Sequence, residues 1–396
     1  MGVQGQGVVI VAGARTAIGT FGGSLKDVPP TKLGATVASE AIKRAGIEAD
    51  VIQHVVFGNV IHTEPRDMYL SRVAAIDAGI PVGTPAMTLN RLCGSGVQAI
   101  VSAAQSIMLG DADVALAGGA ESMSRAPMAS LGARWGVKMG DTGLTDMMLG
   151  ALNDPFGNGH MGITAENVAE EYGLDRDEQD AFALESHRRA AAAIRDGRFA
   201  EQIVPVEIKL RRETVEFTAD EHVRMDASIE DMQKLRTVFK KDGTVTAGNA
   251  SGINDGAAAM VLMSEAEAEK RDAKPMARIV GYAHAGVEPR VMGLGPIPAV
   301  RNLLERTGLS VADFDVIESN EAFAAQACAV ARDLAFPAEK TNPNGGAIAL
   351  GHPVGATGAI ITVKTLYELK RTGGRYGLIT MCIGGGQGIA LAVEAL

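Results

Sequence analysis

Cys93 stands in Leu89-Asn90-Arg91-Leu92-Cys93-Gly94-Ser95-Gly96, just ahead of a segment in which Val97, Ile100, Val101, Ala104, Ile107 and Met108 recur at helical spacing. A thiol at a helix N-terminus feels the partial positive charge of unpaired N–H groups, which favours the nucleophilic thiolate. The small residues that follow leave N–H groups open to a developing oxyanion. A lone cysteine is more often a buried structural residue, but the Gly-Ser-Gly context and the helix start together reverse that balance. His352, between Gly351 and Pro353, is either a base for a thiol proton or a loop histidine held by backbone carbonyls. Cys382 follows a strand and precedes Ile383-Gly384-Gly385-Gly386, so it is a second sulfur at a functional strand end or a small core residue. Asn320, in Asn320-Glu321-Ala322-Phe323, sits at a strand-to-helix junction, where it can cap the helix and also hold a water or a carbonyl oxygen. Cys328, at helical spacing among alanines, reads as core.

These residues need a frame that brings positions about 260 residues apart to one place. Short β-branched runs alternate with longer helical patterns, the rhythm of βαβ units with parallel pairing. Val8–Val11 and His54–Gly58 read as strands, and Leu33–Ala45 as a helix ended by Gly46. The helix after Cys93 stops at Gly110-Asp111, and the strand Val114–Ala117 runs into Gly118-Gly119. The order recurs near the C-terminus: a Gly-rich loop 351–358, a helix 359–370, a turn at Gly373-Gly374, and a strand 377–380 running into glycines. Asp50 to Gly58 likewise resembles Asp313 to Asn320. Two copies imply an internal duplication rather than a solenoid. Between them, residues 123–247 carry several Met, the single Trp135 and irregular Gly-rich stretches. Within that region Asp175 to Asp196 reads as a helix, with Asp175 and Glu178 as a capping box and Gly197 as its stop. Arg pairs at 188–189 and 211–212, with Arg224, bring local positive charge.

The chain has 396 residues, a prior of two or three domains at roughly 150 residues each. With 37 Lys plus Arg against 47 Asp plus Glu, the net charge of −10 argues against nucleic acid as a partner. An anionic small molecule, needing only one local basic site, remains compatible. At 46 % apolar and 21 % charged residues the chain can bury a sizeable core, and few aromatics with 48 Gly suit closely packed α/β layers. Three scattered cysteines give neither a disulfide framework nor a metal motif, and an odd count points to a reducing compartment. No membrane span, secretory start at Met1 to Gln6, or peroxisomal C-terminus is expected, so the location implied is cytoplasmic.

The sequence resembles the thiolase family over its whole length. The resemblance rests on Leu89 to Gly96, Gly159-His160-Met161-Gly162 with Thr164 to Asn167, Gly248-Asn249-Ala250-Ser251-Gly252, Asn320 to Phe323, Asn344-Gly345-Gly346 with Gly351-His352-Pro353, and Cys382 to Gly386. Six motifs in register are specific where one is weak. The resemblance is strongest to bacterial short-to-medium-chain β-ketothiolases. It implies an α/β fold of duplicated βαβαβαββ halves in five layers (α-β-α-β-α), with an N-terminal half at 1–122 and 248–272, a loop domain at 123–247 and a C-terminal half at 273–396. It implies Cys93 as nucleophile, His352 as its activator and Cys382 as the acid/base for the α-proton. The N–H groups of Cys93 and Gly384 would form one oxyanion hole, and His352 with a water on Asn320 the other. Leu152, His160, Met161, Arg224, Ser251 and Phe323 would meet substrate and coenzyme A. Acetyl-CoA, acyl-CoA and CoA are then substrates with no permanently bound cofactor, and a homotetramer (a dimer of dimers) is the expected assembly.

Gly157 and Gly159 stand where short-chain biosynthetic members often carry bulkier side chains, so a roomier acyl pocket is expected. A ketosynthase-type enzyme would pair its cysteine with two His, or with His and Asn, where this chain has Cys382. A dinucleotide oxidoreductase lacks its clean GxGxxG, an NTPase its GxxxxGK[ST], and a metalloenzyme its HExxH. A non-catalytic acyl-CoA-binding protein would have no need of Cys93, His352, Asn320 and Cys382 together.

Overall fold

A computed structural model describes residues 6–209 and 212–396; the N-terminal reading at Met1 to Gly5 and Arg211 of the second arginine pair lie outside them. The first half supplies β1 (Val8–Arg15), α1 (Pro30–Ala45), β2 (His54–Gly58), α2 (Leu70–Asp77), β3 (Ala86–Leu89), α3 (Ser95–Met108) and β4 (Val114–Ser122). Two longer helices follow, α4 (Met161–Tyr172) and α5 (Arg176–Arg195), before β5 (Asn254–Ser264) completes the first half-sheet. The second half runs β6 (Ala277–Gly286), α6 (Pro296–Thr307), β7 (Val316–Ser319), α7 (Ala324–Asp333), α8 (Thr357–Thr372), β8 (Tyr376–Ile383) and β9 (Gln387–Ala395).

The duplication is visible in the sheet. Strands lie in the order β7-β8-β9-β6-β1-β5-β4-β2-β3, two half-sheets joined edge to edge where β1 meets β6 at Val9↔Arg278 and Ile10↔Ala277. In each half a parallel pair (β2–β4, β7–β8) leads to an antiparallel neighbour, β5 or β9. Even the irregularities repeat: β1 shifts register between Ile10 and Ala12, and β6 between Ile279 and Gly281. The edge strand β3 has only a trace in the second half, a single bridge from Ile317 to Thr341.

Three apolar clusters hold five layers of secondary structure together, the central one filling both faces of the middle helix layer. The α1 residues Leu33, Val37, Ala38 and Ala41 pack on one face of the first half-sheet, and α6 residues Ile297, Val300 and Leu303 cover the outer face of the second. Between the sheets, α3 (Val97 to Ile107) and α8 (Ala359 to Leu369) share one core with both. Most core residues are Ala, Val, Ile and Leu, which lets the layers approach closely.

The closest approach is between α3 and α8. A Cβ on Gly96 would lie 2.4 Å from the backbone nitrogen of Ala359, and one on Gly358 would lie 2.4 Å from that of Val97. Only glycine at both positions lets the two helix N-termini touch backbone to backbone. The strand glycines have the same cause: Gly118 and Gly119 lie inside β4, which continues to Ser122, where the expected strand stopped short of them. A Cβ at Gly118 would meet the Ala258 carbonyl at 2.4 Å, and one at Gly119 the Gly355 carbonyl at 2.3 Å. The strand ahead of Gly384 also differs from expectation. Cys382 lies within β8, and Gly385 and Gly386, at φ +83° and +91°, form a hairpin turn into β9.

From Ser122 to Asn254 the texture changes to α4, α5 and three two-stranded ribbons. Asp175 caps α5 by accepting from the Glu178 N–H at 2.8 Å, but the Glu178 carboxylate pairs with Arg332 instead of closing a capping box. Among the described residues no helix is long and apolar enough to cross a membrane. Replacing Gly358 by Ala should cost about 1–3 kcal/mol through forced overpacking, with a lowered melting temperature and a displaced loop 351–357. An unchanged melting temperature in thermal unfolding would contradict this packing.

Candidate active site

The α3–α8 contact sets the Cys93 loop and the His352 loop side by side at one end of the half-sheets. Cys93 opens onto a narrow apolar cavity of about 40 Å³, lined also by Val60, Leu92, Met161, Phe323, Val354 and Gly384. The Gly384 N–H points at its sulfur, as does its own N–H. Burial nevertheless pushes the thiol up to about 11, with the Glu121 carboxylate adding to the rise and both N–H groups opposing it. The expected thiolate at the helix start is therefore corrected: α3 begins two residues on, and desolvation outweighs its N–H groups. Cys382 is fully buried in β8, packed with Met161, Phe323, Met292 and Ala322; burial first, then the nearby Cys93 sulfur, raise its thiol beyond the ordinary range. Cys328 packs with Val168, Ala169 and Ala325 in a separate cluster, as a core residue, and all three cysteines are free.

His352 is held by its backbone and by one ring nitrogen. Its N–H donates to Asn254 Oδ1 at 2.9 Å, and Nδ1 lies 2.7 Å from Thr357 Oγ1, whose hydroxyl donates to the Pro353 carbonyl at 3.0 Å. With the hydroxyl proton so placed, Nδ1 carries the ring proton and Nε2 keeps a lone pair. Burial lowers the ring to about 4, so it is a neutral base at pH 7, and Nε2 is buried with no partner. Asn320 differs from its expected capping role. α7 starts at Ala324 with Phe323 as its N-cap, and the Ala324 N–H is taken by the Asn249 carbonyl at 2.8 Å. Both polar atoms of Asn320 are buried and unpartnered. Its neighbour Glu321 accepts from Ser186 (2.7 Å), Asn342 (2.9 Å) and the Ile348 N–H (3.2 Å), which locks this turn against α5.

Of the expected substrate residues, Met161 and Phe323 wall the cavity, and Leu152 packs on the same small apolar cluster as Cys93. His160 caps α4 by accepting from the Gly162 N–H at 3.0 Å and stacks on Phe239 at 4.6 Å. Ser251 lies beside this group, its N–H on the Ala322 carbonyl at 3.0 Å. Arg224 stands apart on an exposed turn, its N–H on His187 Nδ1 at 3.2 Å and its guanidinium without a hydrogen bond or ion pair among the described residues. Gly157 and Gly159 do not line the cavity; both have positive φ (+93° and +78°) in a tight ribbon, so backbone geometry explains them rather than pocket room. Sequence reading assigned no role to Val60, Val354, Met292, Ala322, Phe239 or Thr357; Val354 and Thr357 carried a signal as part of the His352 loop, and Ala322 as part of Asn320-Glu321-Ala322-Phe323. A wider cleft, about 1090 Å³ at the joint between the halves, is lined by Arg44, Tyr367 and Lys370, with no cysteine or histidine in its walls. Among the described residues no cluster of three His, Cys, Asp or Glu could hold a metal.

The thiolase N-terminal domain model matches residues 8–266 and the thiolase C-terminal domain model residues 273–395. The chain belongs to the thiolase family. It is 66 % identical over 390 residues to the beta-ketothiolase BktB of Cupriavidus necator, covering 98 % of this chain and 99 % of that protein. It is 53 % identical over 395 residues to an acetyl-CoA acetyltransferase of Syntrophomonas wolfei, at 98 % and 99 % coverage. Among solved structures, human mitochondrial 3-ketoacyl-CoA thiolase in complex with CoA superposes with a TM-score of 0.96 at 45 % identity, covering 99 % of this chain and 98 % of that one.

The protonation of this thiolase's site has a direct readout. With Cys93 near 11, the thiolate fraction grows tenfold per pH step across the neutral range. Alkylation of Cys93 by iodoacetamide should therefore keep accelerating beyond pH 9. A plateau below pH 8 would mean a resting thiolate instead.

Proposed function

We propose that this thiolase is an acetyl-CoA acyltransferase, catalysing reversible Claisen condensation of acetyl-CoA with a short- to medium-chain acyl-CoA and the reverse, CoA-dependent cleavage of 3-ketoacyl-CoA. One observation carries the reading: the sulfur of the partly buried Cys93 receives N–H groups from its own residue and from Gly384 and opens onto a narrow apolar cavity. His352 takes the Cys93 proton as the sulfur attacks the thioester, and those two N–H groups stabilise the oxyanion. Cys382 protonates the departing CoA thiolate and, as a thiolate, then removes the α-proton of the second acetyl-CoA. The resulting enolate oxygen is held by His352 Nε2–H and a water on Asn320, in keeping with the unpartnered atoms of both side chains. Attack of the enolate on the acyl-cysteine releases Cys93, which regains its proton from His352. The Cys93 proton thus returns from His352, and Cys382 replaces the proton it gave to CoA with the one it takes from acetyl-CoA, so both groups end as they began.

The CoA chain runs past Phe323, Met161, His160, Ser251 and Leu152 to Arg224, whose free guanidinium suits a phosphate. CoA and acyl-CoA act as substrates, with no resident cofactor. Residues 1–122 and 248–272 form the N-terminal half, 273–396 the C-terminal half, and 123–247 a loop domain serving CoA and assembly. Met128, Leu131, Trp135, Val137, Met139 and Leu144 in that loop domain are exposed, an apolar surface of the kind partner subunits cover. A homotetramer built as a dimer of dimers, working in the cytoplasm, completes the reading.

CoA-dependent cleavage of acetoacetyl-CoA tests it. Cys93→Ala should lose about a thousandfold or more in kcat, and Asn320→Ala about 100- to 1000-fold. A folded wild type that binds acyl-CoA without turning it over would instead favour a binding protein.

A further inference from the structure

Glu121, at the end of β4, is fully buried beside the site and pairs with no cation among the described residues. Every hydrogen bond it makes is one it accepts. Oε1 takes Asn59 Nδ2 at 3.0 Å and the Ile61 N–H at 3.1 Å; Oε2 takes the Val60 N–H at 3.0 Å and the Gly355 N–H at 2.9 Å. The donors come from two separate places. Asn59 to Ile61 follow β2 in the first half, while Gly355 belongs to the His352 loop of the second. Val60 and Val354, each in or next to a donor residue, are two walls of the cavity at Cys93. The join is tight: a Cβ on Gly355 would lie 2.4 Å from Glu121 Oε2 and 3.0 Å from Asn59 Cα.

A buried carboxylate without a cation is costly, and burial pushes this one up; its four donors, with no acceptor for a carboxyl proton among them, pull the other way and favour the ionised form. An apolar residue here would leave four N–H groups unpaired, three of them on the backbone. The arrangement therefore joins two loops that no backbone ladder connects. We propose that Glu121 is a positioning residue for the acyl-cysteine steps, its carboxylate clamping the Val60 loop to the Val354–Gly355 turn and so fixing both walls of the acyl cavity and the seat of His352 relative to Cys93. The proposal rests on the thiolase reading above, and it concerns the acyl end of the substrate only. The CoA end, at Arg224 and Ser251, makes no contact with this clamp.

Glu121→Gln keeps the shape but turns an amide N–H₂ toward N–H donors, so one of the two loops must let go. In the full enzyme, kcat for acetoacetyl-CoA cleavage should fall about 100-fold, the scale of a misplacement near 1 Å. KM for CoA should stay within about twofold, since ground-state binding at the nucleotide end is untouched. Asn59→Ala, which removes a single donor and leaves three, is the milder companion and should lose about tenfold in kcat with KM for CoA again unchanged. A folded Glu121→Gln enzyme with the wild-type kcat, or one whose KM for CoA rises while kcat holds, overturns the clamp. Should Glu121→Gln fail to fold, Asn59→Ala decides by the same two criteria. Wild-type enzyme without any turnover would overturn the thiolase reading itself, a result distinct from either.

Discussion

The contact between Gly96 and Gly358 is the constraint from which the rest of the structure follows. Two helix N-termini, one from each half, meet backbone to backbone because neither carries a Cβ there. That approach sets the distance between the half-sheets and leaves α3 and α8 sharing one apolar layer. It also brings the loops ahead of the two helices together, one carrying Cys93 and the other His352. A duplicated fold thus yields two different loops at equivalent positions, and the proposed chemistry divides between them. The glycines at 118, 119 and 355 extend the same principle outward, letting the His352 loop rest on the strand end of the other half.

Within that frame desolvation dominates the electrostatics. It keeps both active-site sulfurs protonated at rest and His352 neutral, against the pull of N–H groups and the helix start. A neutral pair costs less to bury than a thiolate and an imidazolium. The unpartnered atoms of Asn320 and His352 fit the same economy, since a buried polar atom left empty is expensive unless a ligand or water completes it. The two carboxyl groups beside the site are well satisfied by contrast: Glu321 accepts three hydrogen bonds and Glu121 four.

Much of this was legible in the sequence. Alternation of short β-branched runs with helical periods gave the α/β class, and the repeated order of loop, helix, turn and strand gave the duplication. Cys93 and His352 were marked by their place before helices, and the structure puts both there. What escaped were effects of tertiary contact. The glycines of β4 looked like a strand end because close approach to Ala258 and Gly355 leaves no local trace. Asn320 looked like a helix cap because composition cannot reveal that Asn249 already serves that N–H. Gly157 and Gly159 suggested pocket space, whereas each answers a local backbone need. The cavity walls Val60 and Met292 are ordinary apolar residues whose role depends only on where the chain carries them. Cys93 offered the sharpest contrast, because its position before a helix implied a thiolate while its burial, invisible in sequence, imposes the thiol.

The central claim is that a single sulfur, Cys93, carries the acyl group between two displacements. Incubating the enzyme with acetyl-CoA, quenching in acid and mapping peptides by mass spectrometry tests it without reference to turnover. The account predicts one acetyl group, on the peptide containing Cys93, removed again by added CoA. Acetyl found on Cys382 or Cys328 instead, or none on an enzyme that still cleaves acetoacetyl-CoA, would contradict it.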